Sequence, residues 1–184
     1  MIEIKLVCSD EEILQIKSLQ EKNLRQHLTD EEAASQGFLT ASYTLQYLRE
    51  MNAAFPSVIA KENDLVVGYA MITKKEVREG HDLLKDLFNN IDRCQYEGKI
   101  LRDVNYVVVG QLCVAKAYRG LNLVKRMYDH FAEVVKAFHP YIVTDVDCDN
   151  HRSLKAHAKA GFEVIDSLFY GGKKWDIVIR KTSL

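Results

Sequence analysis

Residues 104–114, VNYVVVGQLCV, are the most β-rich run of the chain. A long amphipathic stretch follows, and then a second apolar run at 141–147. Strand, helix-length stretch and strand in direct succession predict parallel pairing in a sheet, because the crossover helix brings the chain back to the sheet end where it started. The stretch from about Gly120 to Phe138 places Val124, Met127, Tyr128, Phe131, Val134, Val135 and Phe138 on one stripe, the face expected to cover that sheet. Gly110 interrupts the first strand and predicts a bulge or a close backbone approach.

The remaining pattern adds strands and helices to this unit. Residues 2–7 alternate as a strand. Ser9 with Glu12, and Thr29 with Glu32, have the spacing of capping boxes, and the first opens a helix carrying Ile13, Ile16 and Leu19. A helix is expected from about Ser42 to Ala54, with Tyr43, Tyr47 and Met51 as core or groove lining. Residues 57–62 and 65–73 form a hairpin across Asn63–Asp64. The polar segment 74–103 contains a short helix built on Leu84, Leu87, Phe88 and Ile91. Its cluster Lys74, Lys75 and Arg78 reads as a solvated turn. A helix at 151–160 and strands at 162–169 and 174–180 close the chain, giving the order βααββ(α)βαβαββ. Pro56 and Pro140 each follow an expected helix. The fold class is α/β with mixed α+β character, in one domain spanning residues 1–184.

Charge and cysteine content exclude several functions. With 25 basic and 26 acidic residues the net charge is −1, which gives no electrostatic case for nucleic acid. Cys8, Cys94, Cys113 and Cys148 form no CxxC pair, so no metal site is expected. Cys113 lies on a buried-type strand with no sequence-adjacent base, and reads as a core residue rather than a nucleophile. No signal peptide or membrane-spanning run is apparent, and the expected setting is a reducing cytoplasm.

The chemistry is concentrated at Leu112–Leu123, LCVAKAYRGLNL, where an apolar strand enters an Arg-Gly turn and then the long helix. The first turn of a helix has amide N–H groups without intrahelical partners. Together with the helix dipole they attract a phosphate or pyrophosphate. Gly120 lets the backbone approach such a ligand, while Arg119 and Lys125 or Lys116 can add charge. Many strands lead into helices through a glycine, so this segment is unspecific on its own. A nucleotide-binding α/β protein would use the same feature, but neither GK[ST] nor GxGxxG is present. A second segment, residues 145–162, reads DVDCDNHRSLKAHAKAGF. Here a strand delivers Asn150 to a helix start and Gly161–Phe162 ends the helix.

YRGLNL followed by N-x-R-S-x-x-x-H-x-x-x-G-F resembles the GNAT superfamily of acyl-CoA N-acyltransferases, over roughly residues 58–180. The resemblance implies a three-layer fold, a central mixed twisted sheet with helices on both faces. It implies acetyl-CoA as acyl donor, without a metal. Main-chain groups of Leu112, Cys113 and Val114 would pair with the pantetheine arm. Arg119, Gly120, Leu121, Asn122, Leu123 and Val124 would surround the pyrophosphate, and Asn150 would contact the arm as well as cap its helix. In the family's Q/R-x-x-G-x-G/A pattern the last two small residues are replaced here by Asn122 and Val124, and Val124 narrows the approach. The implied reaction is direct transfer of an acetyl group to a primary amine of a small molecule or a protein, with backbone N–H groups near Leu112–Val114 stabilising the oxyanion. His157 would protonate or orient the sulfur, as an imidazole titrating near neutrality. Gln111 would position water or substrate. Asp145 and Asp147, on one side of their strand, are fallback contacts for the amine. The alternative is a GNAT-like module that binds acyl-CoA without turnover, as a sensor or interaction domain. No nucleic-acid or membrane partner is expected, and a homodimer is left open.

Overall fold

The computed structural model describes residues 1–183, with residues 34–36 and 170 given by backbone alone. The elements run β1 (Ile2–Leu6), α1 (Asp10–Glu21), α2 (Asp30–Gln36), α3 (Leu45–Ala54), β2 (Val58–Glu62), β3 (Leu65–Thr73), α4 (Asp82–Ile91), β4 (Gln95–Tyr96), β5 (Lys99–Ile100), β6 (Tyr106–Val114), α5 (Leu123–Val135), β7 (Tyr141–Asp147), α6 (His151–Lys159), β8 (Glu163–Tyr170) and β9 (Lys173–Lys181). Seven strands form one sheet in the order β1-β2-β3-β6-β7-β9-β8. Its one parallel pair among the described residues is β6–β7, joined by α5 as the strand–helix–strand pattern requires.

Each face of the sheet is covered by helices, the three-layer arrangement expected. On one face Ile13, Ile16 and Leu19 of α1, Tyr47, Leu48 and Met51 of α3, and Leu84, Leu87, Phe88 and Ile91 of α4 meet Tyr69, Tyr106 and Val143. On the other, Met127, Tyr128, Phe131 and Val135 of α5 meet Val67, Val107 and Ile142. No helix among the described residues is long and apolar enough to cross a membrane.

Local chemistry explains where the elements begin, and several differ from expectation. Thr29 and Glu32 form a complete capping box at α2. At α1 only half of one forms. Ser9 Oγ accepts the Glu12 N–H, but the Glu12 carboxylate reaches Cys8 N–H at 2.8 Å, with Lys5 Nζ at 2.7 Å and Lys61 Nζ at 3.0 Å. The long helix is shorter than predicted at both ends, and Phe138 is 70% exposed rather than in the stripe, because the helix has ended at Val135. Lys75 and Arg78 are not a solvated turn. Lys75 Nζ bonds Asp92 at 3.1 Å and sits 4.3 Å over the Tyr106 ring, and Arg78 lies 3.9 Å from the same carboxylate. They brace the α4 segment to β6.

The bulge at Gly110 sets the geometry of the site. Pairing between β3 and β6 slips between Ala70 and Ile72, so side-chain parity along β6 changes there. Tyr106 and Val108 point to the α1/α3 face before the slip, and Cys113 points there after it. A Cβ at position 110 would lie 2.2 Å from Thr73 Oγ1, so only glycine fits.

Candidate active site

Strands β6 and β7 pair only over Tyr106–Tyr141, Val107–Ile142 and Val108–Val143, then diverge. Beyond that point β6 stays with β3 and β7 stays with β9. At the vertex the Thr144 hydroxyl donates to Val109 O at 2.9 Å, the side chain taking over where main-chain pairing stops. Alternation decides which amides face the gap. Ala115 N–H donates to Val67 O in β3, and Val114 O accepts Arg119 Nε at 3.0 Å, outside the ladder. Leu112 and Val114 therefore present their main-chain groups to the gap, and Cys113 turns its own toward β3. Of the three residues expected to pair with a pantetheine arm, two have backbone available for it. The Cys113 thiol is buried and pushed up to about 12 by desolvation, a core group as expected.

The gap opens onto the start of α5. Asn122, the N-cap, adopts a left-handed conformation (φ 59, ψ 21) and makes no side-chain capping bond. Glycine is the usual residue there, and asparagine is among the few others that tolerate it, so the substitution keeps the loop's path. Gly120 has φ +89 and open space where a Cβ would sit. Val124 is half-buried and lines the cleft, Leu123 contributes its backbone while its side chain enters the core, and Leu121 is exposed and stands outside the lining.

Arg119 is bound within the cleft rather than extended from it: besides Val114 O, it donates to Asn23 Oδ1 at 2.7 Å. Asn150 caps α6 through Oδ1, which accepts Ser153 N–H, and its amide donates to Phe38 O at 3.1 Å. It ties α6 to the segment before α3.

The resulting donor-side cleft has a volume of about 440 Å³. Arg119, Lys125, Arg152, Lys155 and Lys159 line it, and no carboxylate does among the described residues. Lys155 and Lys159 were not singled out from the sequence, and Arg152 was noted only as the arginine of the N-x-R-S motif. Their spacing at i, i+3 and i+7 puts them on one helical face, and that periodicity was the available signal.

A second pocket of about 110 Å³ adjoins the first and shares Phe38, Leu39, Leu112, Asn150 and Ser153 with it. His157 and Gln111 both line it, but each is engaged. His157 is 4% exposed; its Nε2 lies 2.7 Å from Tyr128 Oη and its Nδ1 2.9 Å from Ser153 O. Burial pushes its pKa down to about 4, so the ring is neutral at pH 7. The expectation of titration near neutrality is corrected accordingly: the cation has no solvent or counter-charge to support it. Gln111 Oε1 accepts from Gln20 Nε2 and Tyr69 Oη, and its Nε2 donates to Ala41 O at 2.7 Å. Its amide thus holds the 41–43 segment against β6. Gln20, fully buried, was missed although it continues the Ile13–Ile16 face of α1. Tyr43 also lines the pocket and donates its hydroxyl to Gly110 O at 2.8 Å. Asp147 is in an ion pair with Lys173, whereas Asp145 is the one half-buried residue of β7.

A mixed sheet with one splayed parallel pair, its gap running to an uncapped helix start, defines a fold for seizing an extended ligand that ends in phosphates. The sequence matches the acetyltransferase (GNAT) family over residues 21–162, and the chain belongs to that family. The fold is shared with the ribosomal-protein-S18-alanine N-acetyltransferase from Escherichia coli, at 10% identity and TM-score 0.65, covering 100% of this chain and 96% of that one. It is also shared with a GNAT acetyltransferase from Streptococcus agalactiae (16%, 0.67, 98% and 95%). A third likeness is to the NatC complex solved with Gag peptide and CoA (15%, 0.67, 98% and 98%). Comparison with curated proteins gave no match. No group of His, Cys, Asp or Glu among the described residues is arranged to hold a metal.

Proposed function

We propose that this chain is an N-acetyltransferase that takes acetyl-CoA as donor and passes the acetyl group directly to a primary amine. The observation that carries the reading is the continuity of the β6–β7 gap with the uncapped start of α5, in one cleft lined, among the described residues, by five cations and no acid. That cleft suits a ligand with an amide-bearing arm and several phosphates, and the chain's overall charge of −1 does not account for the local excess.

Acetyl-CoA supplies an activated acyl group as its thioester. The protein's part is placement. Gap-facing groups of Leu112 and Val114 receive the arm in the manner of an added strand, once Arg119 Nε yields the Val114 carbonyl. The amides of Leu123, Val124 and Lys125 and the Gly120 turn meet the pyrophosphate. Arg152, Lys155 and Lys159 offer charge to the remaining phosphate. Asn150 and Gln111 hold the flanking segment, and neutral His157, in the lining of the second pocket, fixes α6 against Tyr128.

Calorimetric titration with acetyl-CoA tests the donor site: saturable binding that Lys155→Glu weakens at least tenfold is expected, and no heat at millimolar ligand would end the proposal. A second reading, donor binding without turnover, draws on the full hydrogen bonding of His157 and Gln111. Steady CoA release with any amine of a broad panel decides against it.

A further inference from the structure

The two adjoining pockets follow one another along β6. Residues 112–114 line the donor cleft and residues 109–112 line the second pocket, with Leu112 in both. Across the gap Phe38 and Leu39 also line both. An arm whose phosphates sit at the start of α5, and which runs from Val114 toward Leu112, has its far end directed into the second pocket. In an acyl-CoA that end is the acyl group.

The polar side chains of the second pocket are spent on the protein itself. Gln111 uses both ends of its amide on Gln20, Tyr69 and Ala41, and Thr144 gives its hydroxyl to Val109 O. Asn150 is engaged by Phe38 O and the Ser153 N–H. Of the two carboxylates in the lining, Asp147 is paired with Lys173 and Asp145 has an interaction of its own. Tyr43 gives its hydroxyl to Gly110 O, and His157 is held by Tyr128 and Ser153. A charged head group would have to break into these bonds, whereas a hydrocarbon chain leaves them intact. Hydrocarbon meets Leu83, Leu84 and Leu87 of α4 and Trp175 of β9.

Resting on the donor-site reading and going beyond acetyl, we propose that the second pocket receives the acyl chain of the donor, so that the protein binds short unbranched acyl-CoA thioesters more tightly than acetyl-CoA. At about 110 Å³ the pocket is smaller than the roughly 150 Å³ apolar cavity that takes benzene, which sets a ceiling of about four carbons. Leu83, half-buried on α4, is the residue whose size should set that ceiling.

The test is calorimetric titration of the full chain, without any amine, using CoA, acetyl-CoA, n-butanoyl-CoA and n-hexanoyl-CoA. Two further buried methylenes should make n-butanoyl-CoA bind about tenfold more tightly than acetyl-CoA. The n-hexanoyl thioester, too long for the pocket, should lose that gain. Leu83→Trp, which fills the pocket, should bring n-butanoyl-CoA back to the acetyl-CoA level with CoA affinity unchanged. Leu83→Ala, which enlarges it, should raise n-hexanoyl-CoA affinity about fivefold. CoA binding with acetyl-CoA and n-butanoyl-CoA equal would overturn the acyl pocket and leave the donor site standing. An n-butanoyl advantage that neither Leu83 variant alters would also overturn it, since the chain would then lie elsewhere. Absence of binding by CoA and by all three thioesters would overturn the donor site and the acyl pocket together.

Discussion

Lowering the pH from 7.5 to 5.0 should destabilise the protein through His157, and the size of the loss follows from its burial. The folded ring has a pKa of about 4, against 6.5 for an ordinary histidine. As pH falls, the unfolded chain takes up this proton first, so unfolding gains protons between those values and stability declines with pH. The contribution is complete above 6.5, is lost as pH falls toward 4, and levels off below. At pH 5.0 the ring should cost about 2 kcal/mol relative to pH 7.5, from about 1.4 kcal/mol per unit of pKa difference. His81 and His139 are also pushed down by burial, so the wild-type slope alone does not isolate His157. His157→Gln does, because it removes one titration and keeps a polar partner for Tyr128. Urea unfolding of both proteins at the two pH values supplies the measurement. The pH-dependent loss should be about 2 kcal/mol smaller in the variant. Equal losses in the two proteins would refute a buried neutral ring, and would reopen His157 as a group titrating near neutrality.

Three further outcomes follow from local geometry. Gly110→Ala should lower the urea midpoint, since its Cβ would meet Thr73 Oγ1 at 2.2 Å, and Thr73→Ala in the same chain should recover most of the loss; a clash-free single variant would count against the bulge as described. Asn122→Gly should stabilise the fold by up to about 1 kcal/mol by relieving the left-handed conformation, and Asn122→Val should destabilise it, both read by thermal unfolding. Glu12→Gln should cost about 2 kcal/mol or more in urea unfolding at pH 7, because Lys5 and Lys61 converge on a carboxylate that is 2% exposed. Depressed to about 2, the Glu12 carboxyl contributes its stability above pH 4.5 and loses it as pH falls toward 2, so the variant should also have a shallower acid transition.

Features set by neighbouring residues were legible without coordinates. The Thr29–Glu32 box, the buried face of α4, the Asn63–Asp64 hairpin and the Gly110 irregularity each depend on spacings within one segment. Helix ends were less legible: Phe138 fits the 3.6-residue period, but the chain turns after Val135. The site divided along the same line. The Arg-Gly turn and Asn150 are local signals for a helix start. The engagement of Gln111 by Gln20, Tyr69 and Ala41 joins residues up to 91 positions apart, and no spacing rule contains it.

The sequence by itself determined that a parallel strand pair would carry a helix whose first turn is preceded by a glycine turn and an αL-tolerant asparagine, because backbone preference and amphipathic period act over a few residues. Only the tertiary structure decided what His157 is, since its titration depends on Tyr128 and on exclusion of water by two packed helices. It alone also decided the separation of charge between the two pockets. Lysines of α6 and carboxylates of β7 are neighbours in the chain, yet the fold places them in the linings of different pockets.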